Sequence, residues 1–374
     1  VFLALRDIRF AKGRFALMGI VVALITLLLV MLSGLTAGLG NQSTSALKDL
    51  GTTDAVTGTI TPVDRIAFGA ASGNEAKASF TESQVTAVQA DAWRTTAGVT
   101  SVEPLGISQT RFQGGAAGSG TSTGTTNVAV FGVPEGSGLA PVAVHPGEAV
   151  IGVSVADDLS LKVGDTVNAG GRDLVLRAIV SDQWYSHTSV VYTSLKDWKE
   201  LAHLSDPTQI GTVLAITGTP ADVDAADAAA GTVSSTRTGS FAALGSYKSE
   251  NGSLMMMQGF LYGISALVIV AFLTVWTVQR TRDIAVLKAM GASDKYVVRD
   301  AITQAAIVLL AGAGIGGTIG LAGGLLAEKF APFMVTPATT LVPIAGILIL
   351  GLAGAVLAVS RVTKVDALIA LGGN

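Results

Sequence analysis

Four stretches of this chain run without a charged residue for about the 20 positions a helix needs to cross a bilayer. They are Phe15 to Leu32 (weakly apolar on to about Leu39), about Leu254 to Val278, Ala301 to about Ala327, and about Val342 to Val359. A soluble core offers no place to bury that much unbroken apolar surface. Only 14% of residues are charged and 49% are hydrophobic, against about 25% charged in a soluble domain. The chain therefore reads as a polytopic membrane protein. The first stretch follows a basic arm (Arg6, Arg9, Lys12, Arg14), as a signal peptide would, but it is too long and lacks a distinct small-residue cleavage site, so a retained helix is expected. Cysteine is absent, which removes disulfides, thiolate metal sites and thiol catalysis. A net charge of −3 gives no global basic field for nucleic acid.

The charges orient the spans. Basic residues gather in the N-terminal arm, between the second and third spans (Arg280, Arg282, Lys288, Lys295, Arg299) and in the tail (Arg361, Lys364), whereas the segment between spans three and four offers only Glu328 and Lys329. The positive-inside rule then places both termini and the 280–300 segment in the cytoplasm. The stretch from about Gly40 to Glu250 carries 21 acidic and 12 basic residues and belongs outside. The expected order is a cytoplasmic arm at 1–14, a first span at 15–39, an extracytoplasmic domain at 40–250 and a second span at 251–279. A cytoplasmic segment at 280–300, a third span at 301–327, an exterior loop at 328–341, a fourth span at 342–360 and a cytoplasmic tail at 361–374 follow. The fold class is a four-span helical membrane protein with a large extracytoplasmic α+β domain inserted between the first two spans.

Within that domain, Thr81–Thr96 (TESQVTAVQADAWRTT) reads as a helix with Thr81 as N-cap, Gln84 completing a reciprocal cap, and Val85, Val88, Ala92 and Trp93 as its apolar positions. Strand-like runs bounded by Gly, Pro or Asp occur at Ser101–Val102, Asn127–Val133, Ala149–Val153, Asp173–Val180 and Thr212–Ile216. Gly114–Thr126 has loop composition, Ser194–His203 and Ala221–Ala230 read as short helices, and the repeated strand–helix–strand order suggests two small subdomains. The third span, with Gly312, Gly314, Gly316, Gly317, Gly320, Gly323 and Gly324, repeats small residues at a spacing of four, which suits close backbone contact between helices in an ordinary bundle. Pro332, Pro337 and Pro343 mark a broken re-entry before the fourth span.

The most specific stretch is Gln279–Ser293 (QRTRDIAVLKAMGAS), an amphipathic basic segment that Gly291 ends as a C-cap. On composition alone it is a juxtamembrane helix touching lipid phosphates. The run closely resembles the corresponding stretch of MacB/FtsX-type permeases, the type VII ABC transporters. The order of one helix, an exterior domain and three helices, the segment Val150–Val180 and the tail Arg361–Leu371 are similar to that family too. The resemblance implies a homodimer of this chain in membrane lipid, bound to two copies of a separate ABC ATPase. Arg280, Arg282, Asp283, Ile284, Leu287, Lys288 and Gly291 would then form the coupling helix. No Gly-x-x-x-x-Gly-Lys-Ser/Thr loop occurs in the sequence, so ATP binding and hydrolysis are expected in the partner subunit, with no intrinsic cofactor and no metal held by the protein alone.

The overall likeness extends to haem-exporter permeases of Gram-positive bacteria, which implies haem as a transported ligand. Haem iron is ligated by His, Met, Tyr or Cys. The segment Tyr247–Met257 (YKSENGSLMMM) gathers Tyr247, Glu250, Met255, Met256 and Met257 at the outer mouth of the second span, and Met31 stands near the outer end of the first. These methionines read either as adaptable packing in an apolar wall or as a soft pocket for a flat amphipathic ligand, with Arg237 or Lys248 pairing its carboxylates. His145, His187 and His203 read as ordinary surface or core residues. Two alternatives stay open: an FtsX-like signalling permease that activates a cell-wall hydrolase, and an exporter of antibiotic, peptide or lipid cargo. An enzyme is disfavoured because the spans hold no His, Asp or Glu at mid-membrane and the histidines lack metal-ligand spacing.

Overall fold

In the computed structural model, residues 12–53, 60–71, 74–116, 124–204, 206–279, 286 and 290–362 are described. The chain divides into two compact units, with the breaks at Leu39/Gly40 and Glu250/Asn251. Eight α-helices have described bounds: α1 Lys12–Lys48, α2 Ala87–Arg94, α3 Val153–Leu159, α4 Leu195–Leu201, α5 Val223–Ala230, α6 Gly245–Gln279, α7 Asp294–Ala327 and α8 Pro337–Val362, with a 3-10 turn at Gly239–Ala243.

Helices α1, α6, α7 and α8 are each long and apolar enough to span a membrane. Within the helical unit, α1 lies directly on the glycine stripe of α7. A Cβ added to Gly312 would stand 2.8 Å from the Gly19 carbonyl oxygen, and one on Gly316 2.1 Å from that of Ala23. No side chain fits there, so the spacing of four selects backbone-to-backbone packing. Phe333, from the re-entry between α7 and α8, wedges against two more glycines: a Cβ on Gly34 would meet its ring at 2.2 Å and one on Gly324 at 2.7 Å. The Met334 amide donates to the Gly34 carbonyl at 3.1 Å, so the re-entry is stitched to α1. Ile269 and Leu273 of α6, Leu309 of α7 and Ile347 of α8 share the buried core with Phe15, whose ring meets Trp276 edge-on at 4.6 Å. Each span leaves more than half of its most apolar stretch uncovered, as helices facing lipid do.

The inserted unit is organised by one long strand, Val99–Gly114. Its first half pairs with Val213–Gly218, beyond which lie Arg65–Phe68 and Val233–Thr236. Helices α2 and α5 cover that part, with Trp93, Leu214 and Ile216 in its core. The second half pairs with Thr125–Val133 and Thr166–Ala169, and the pairing continues through Arg172–Val180, Glu148–Gly152 and Thr188–Ser194 back to Thr125–Val133. Six strands thus close a circuit, filled by Phe112, Val130, Ile151, Leu176 and Val191. The two subdomains share a strand. Gly106 and Gly132 are register partners, and the fully buried indole of Trp198 lies over both, where a Cβ would come within 2.1–2.2 Å.

Several local expectations shift. The first inserted helix starts at Ala87, capped by Thr86 with Gln89 closing the box. The sequence holds two Thr-x-x-Gln runs, and the second wins because Val85 pairs with Gly211 as strand and Ser83 donates its hydroxyl to the Thr212 carbonyl. Val88, read as apolar-face, is exposed. The strand read at Ser101–Val102 is one corner of a 16-residue strand, because polar positions on its open face break the alternation. Strand also occupies Arg65–Phe68, Thr166–Ala169, Thr188–Ser194 and Val233–Thr236. Part of the loop read at Gly114–Thr126 lies outside the described residues.

Candidate functional site

The hairpin turn between Trp184–Tyr185 and Thr188–Ser194 sets the site in the inserted unit. Ser186 and His187 both hold positive φ, 48° and 64°, the two-residue turn geometry that matches strand twist. Their amides donate to the carbonyls of Ser43 and Gln42 in the last turns of α1, at 3.1 and 3.0 Å. The Ser186 hydroxyl lies 3.1 Å from that of Ser246, in the first turn of α6. His187 Nε2 stands 2.9 Å from Glu250 Oε2 and 3.0 Å from Ser43 Oγ. One imidazole nitrogen therefore joins the end of α1 to the beginning of α6. Because Ser43 and Glu250 share that single nitrogen, the three groups are not a nucleophile–base–orienter relay, which needs both ring nitrogens.

Glu250 thus sits in a clasp with His187. Tyr247 stacks edge-on against Phe241 at 6.0 Å, beside the inserted unit's core. Arg237 donates through its guanidinium to the carbonyls of Lys48 and Leu50, where α1 ends; a cation there meets the negative end of the helix dipole. In the helical unit, Met255, Met256 and Met257 are exposed at 62%, 62% and 50%. Asn251 Nδ2 approaches Met255 Sδ at 3.8 Å. Met31 is half-buried, its sulfur 3.6 Å from where a Cβ on Gly323 would stand. Just beyond the methionines, Gln258 Nε2 donates to Thr36 Oγ1 at 3.0 Å and ties α6 to α1. His187 thus has more than the ordinary surface or core role expected of it, and Gln258 was not singled out, although a lone amide within a span and a Tyr-Ser-His-Thr turn between strand-forming residues are the signals for them.

On the other side of α6, Arg280, Arg282, Asp283, Ile284, Leu287 and Lys288 lie outside the described residues. Val286 is helical, its carbonyl accepts from the Met290 amide at 3.0 Å, and Gly291 takes φ +94°. That conformation suits the glycine stop read from the sequence. Ser293 then caps α7 by accepting from the Tyr296 amide.

Burial raises the pKa of Tyr185 and Tyr192, with Asp49 adding to the effect on Tyr192, so both phenols stay neutral. Desolvation also raises the Glu103 carboxyl against the opposing pull of Arg94. Two hydrogen bonds from Thr208 hold exposed Asp206 below its ordinary value.

Four membrane-spanning helices with an α+β domain inserted after the first define a permease-type membrane protein. The MacB-like periplasmic core domain model matches residues 15–233, and the FtsX-like permease C-terminal model matches 252–367. The chain belongs to the MacB/FtsX-type permeases. An HrtB protein of Staphylococcus epidermidis, named for hemin transport system permease function, is 31% identical over 35% of this chain and 37% of its own length. Its namesake in Staphylococcus haemolyticus is 28% identical over 57% of this chain and 60% of its own. The chain thus spans between about a third and three fifths of the length of these hemin-named relatives. An uncharacterized ABC transporter permease of Mycobacterium tuberculosis is 27% identical over 100% of this chain and 99% of its own. Among solved structures, the periplasmic region of MacB from Actinobacillus actinomycetemcomitans is 12% identical, with a TM-score of 0.33 over 47% of this chain and 90% of that one.

Proposed function

We propose that this chain is the transport subunit of an ATP-driven efflux system, converting ATPase motion into export of an amphipathic cargo, with haem the favoured cargo. The single observation that carries the reading is the FtsX-like match across 252–367, which spans the basic segment ending at Gly291. Membership of the ABC permease family implies an ABC ATPase partner. The dimer, the two ATPase copies and the cytoplasmic placement of both termini follow from the resemblance and from the basic residues at 6–14, 280–299 and 361–364. The segment after α6 would seat in a groove of the ATPase, and α6, one helix from Gly245 to Gln279, would carry the displacement outward.

Haem rests on the hemin-named relatives and on the exposed Met255–Met257 at the outer end of α6. Thioether sulfur is a recognised haem ligand, and an adaptable methionine surface suits a flat apolar ring. Met31, Tyr247, Glu250 and Arg237 remain the other candidates for cargo contact. The test is ATP hydrolysis by the permease–ATPase complex in lipid, measured with and without haemin. Stimulation that falls when Met255–Met257 are replaced by leucine supports the cargo. An unchanged rate, with unchanged haem tolerance of cells lacking the permease, rejects it.

A further inference from the structure

We infer that the extracytoplasmic domain carries a groove for an amphipathic carboxylate, with Arg111 holding the acid group. Two cavities of about 570 and 410 Å³ meet at Gln109 on the long strand Val99–Gly114. The first has Arg111, Gln113, Asn127 and Asn168 in its walls. The second is bounded by Phe80, Ile107, Tyr185 and Leu244, with Thr81, Ser108 and Ser246 also lining it. The turn that carries His187 walls both, giving Thr188 to the first and Ser186 to the second. Gln109 Nε2 donates to Thr188 Oγ1 at 3.4 Å across the junction, a long bond between exposed partners that a ligand can displace.

Strand alternation puts Ile107, Gln109, Arg111 and Gln113 on one face. At the rise of an extended chain, Ile107 and Arg111 stand about 13 Å apart. Along that face the strand passes from the aliphatic Ile107 to the Gln109 amide and the Arg111 guanidinium over the length of one small amphipathic molecule. Arg111 is also distinctive among the arginines of this domain. Arg65, Arg94, Arg172, Arg177 and Arg237 each reach a protein oxygen. Among the described residues Arg111 has no such partner, although the domain carries 21 acids to 12 bases. A planar guanidinium facing an amide-rimmed cavity is built to take a carboxylate through two parallel hydrogen bonds. The groove gives the proposed exporter an extracytoplasmic station for cargo, and only that role, not its chemistry, rests on the transport reading.

The test uses the full-length protein in lipid nanodiscs, without ATPase or nucleotide, so that its outcome is independent of export. 1-Pyrenebutyrate and 1-pyrenebutanol share the same ring system and differ in the acid group, and energy transfer from tryptophan reads their binding over empty nanodiscs. Pyrenebutyrate should bind at least tenfold tighter than the alcohol, and Arg111→Ala should weaken the acid about tenfold while leaving the alcohol unchanged. Arg111 is exposed, so its loss does not threaten the fold. Thr81→Trp, at the second cavity, should weaken both probes. Equal binding of acid and alcohol, or an Arg111→Ala protein that binds the acid like the parent, overturns the inference and leaves a solvated surface arginine. Export lost with these differences intact would instead sink the transport reading alone.

Discussion

His187 and Glu250 meet at 2.9 Å across 63 residues of sequence, and the same imidazole nitrogen reaches Ser43 at 3.0 Å. The contact joins the last turns of α1 to the second turn of α6, the two helices that enter and leave the inserted domain. A bond of this kind contributes about 1 kcal/mol. Glu250→Gln should therefore open the turn locally and speed hydrogen exchange of the His187 amide, which is bonded to the Gln42 carbonyl, by about fivefold. Exchange unchanged in the variant would mean that the turn is held by its backbone alone.

Packing along α7 gives a sharp contrast between near neighbours. Gly316 has the Ala23 carbonyl oxygen 2.1 Å from any added Cβ, whereas Gly314 has nothing within 4 Å. Gly316→Leu should destabilise the detergent-solubilised protein by at least the about 1–3 kcal/mol of an overpacked core. Gly314→Ala should be neutral or stabilising, by up to about 1 kcal/mol from helix propensity. Thermal aggregation of the two variants checks the difference, and similar midpoints would refute the packing.

The two Thr-x-x-Gln runs are separable by a pair of substitutions. Thr86→Ala removes the hydroxyl that accepts from the Gln89 amide and should cost about 1 kcal/mol. Thr81→Ala, where no cap forms, should cost a few tenths at most. Urea melts of the full chain followed by near-ultraviolet signals of the buried Trp93 would show whether the order reverses.

Glu103 links stability to pH in the direction opposite to a salt-bridged acid. Its folded pKa is raised above the ordinary 4.5 by burial, so between those values the folded state holds a proton the unfolded state has lost. Stability then falls as pH rises through that window. Glu103→Gln should be more stable than the parent at pH 7, with the advantage shrinking as pH drops and gone below about 4.5. A constant difference between the two across pH 4–8 would show that the carboxyl is not desolvated.

Much of this was legible in residue order because the bilayer imposes long, one-signed signals. The charge-free runs at Phe15, Leu254, Ala301 and Val342 mark all four helices, and the spacing of Gly312, Gly316 and Gly320 marks the face of α7 that meets α1. The inserted domain was harder to read. Its central strand alternates buried residues with Glu103, Gln109 and Arg111, and its closed circuit of strands depends on pairings across dozens of residues, which local pattern does not encode. Equal cap motifs at Thr81 and Thr86 are separable only by the partner strand at Gly211. The site divides likewise. Tyr247, Glu250 and Met255–Met257 stand together in sequence, but the histidine that holds Glu250 comes from a turn 63 residues away.

The segment from Arg280 to Gly291 is where force would enter, so the decisive measurement is made there. The full chain and its ATPase are co-expressed, purified through the permease and assayed for bound ATPase and for export, with residues 280–290 either native or scrambled at constant composition. Loss of the ATPase from the scrambled protein, with export abolished and the four spans still inserted, is the expected result. A scrambled chain that retains its ATPase and exports at the native rate would contradict coupling through this segment.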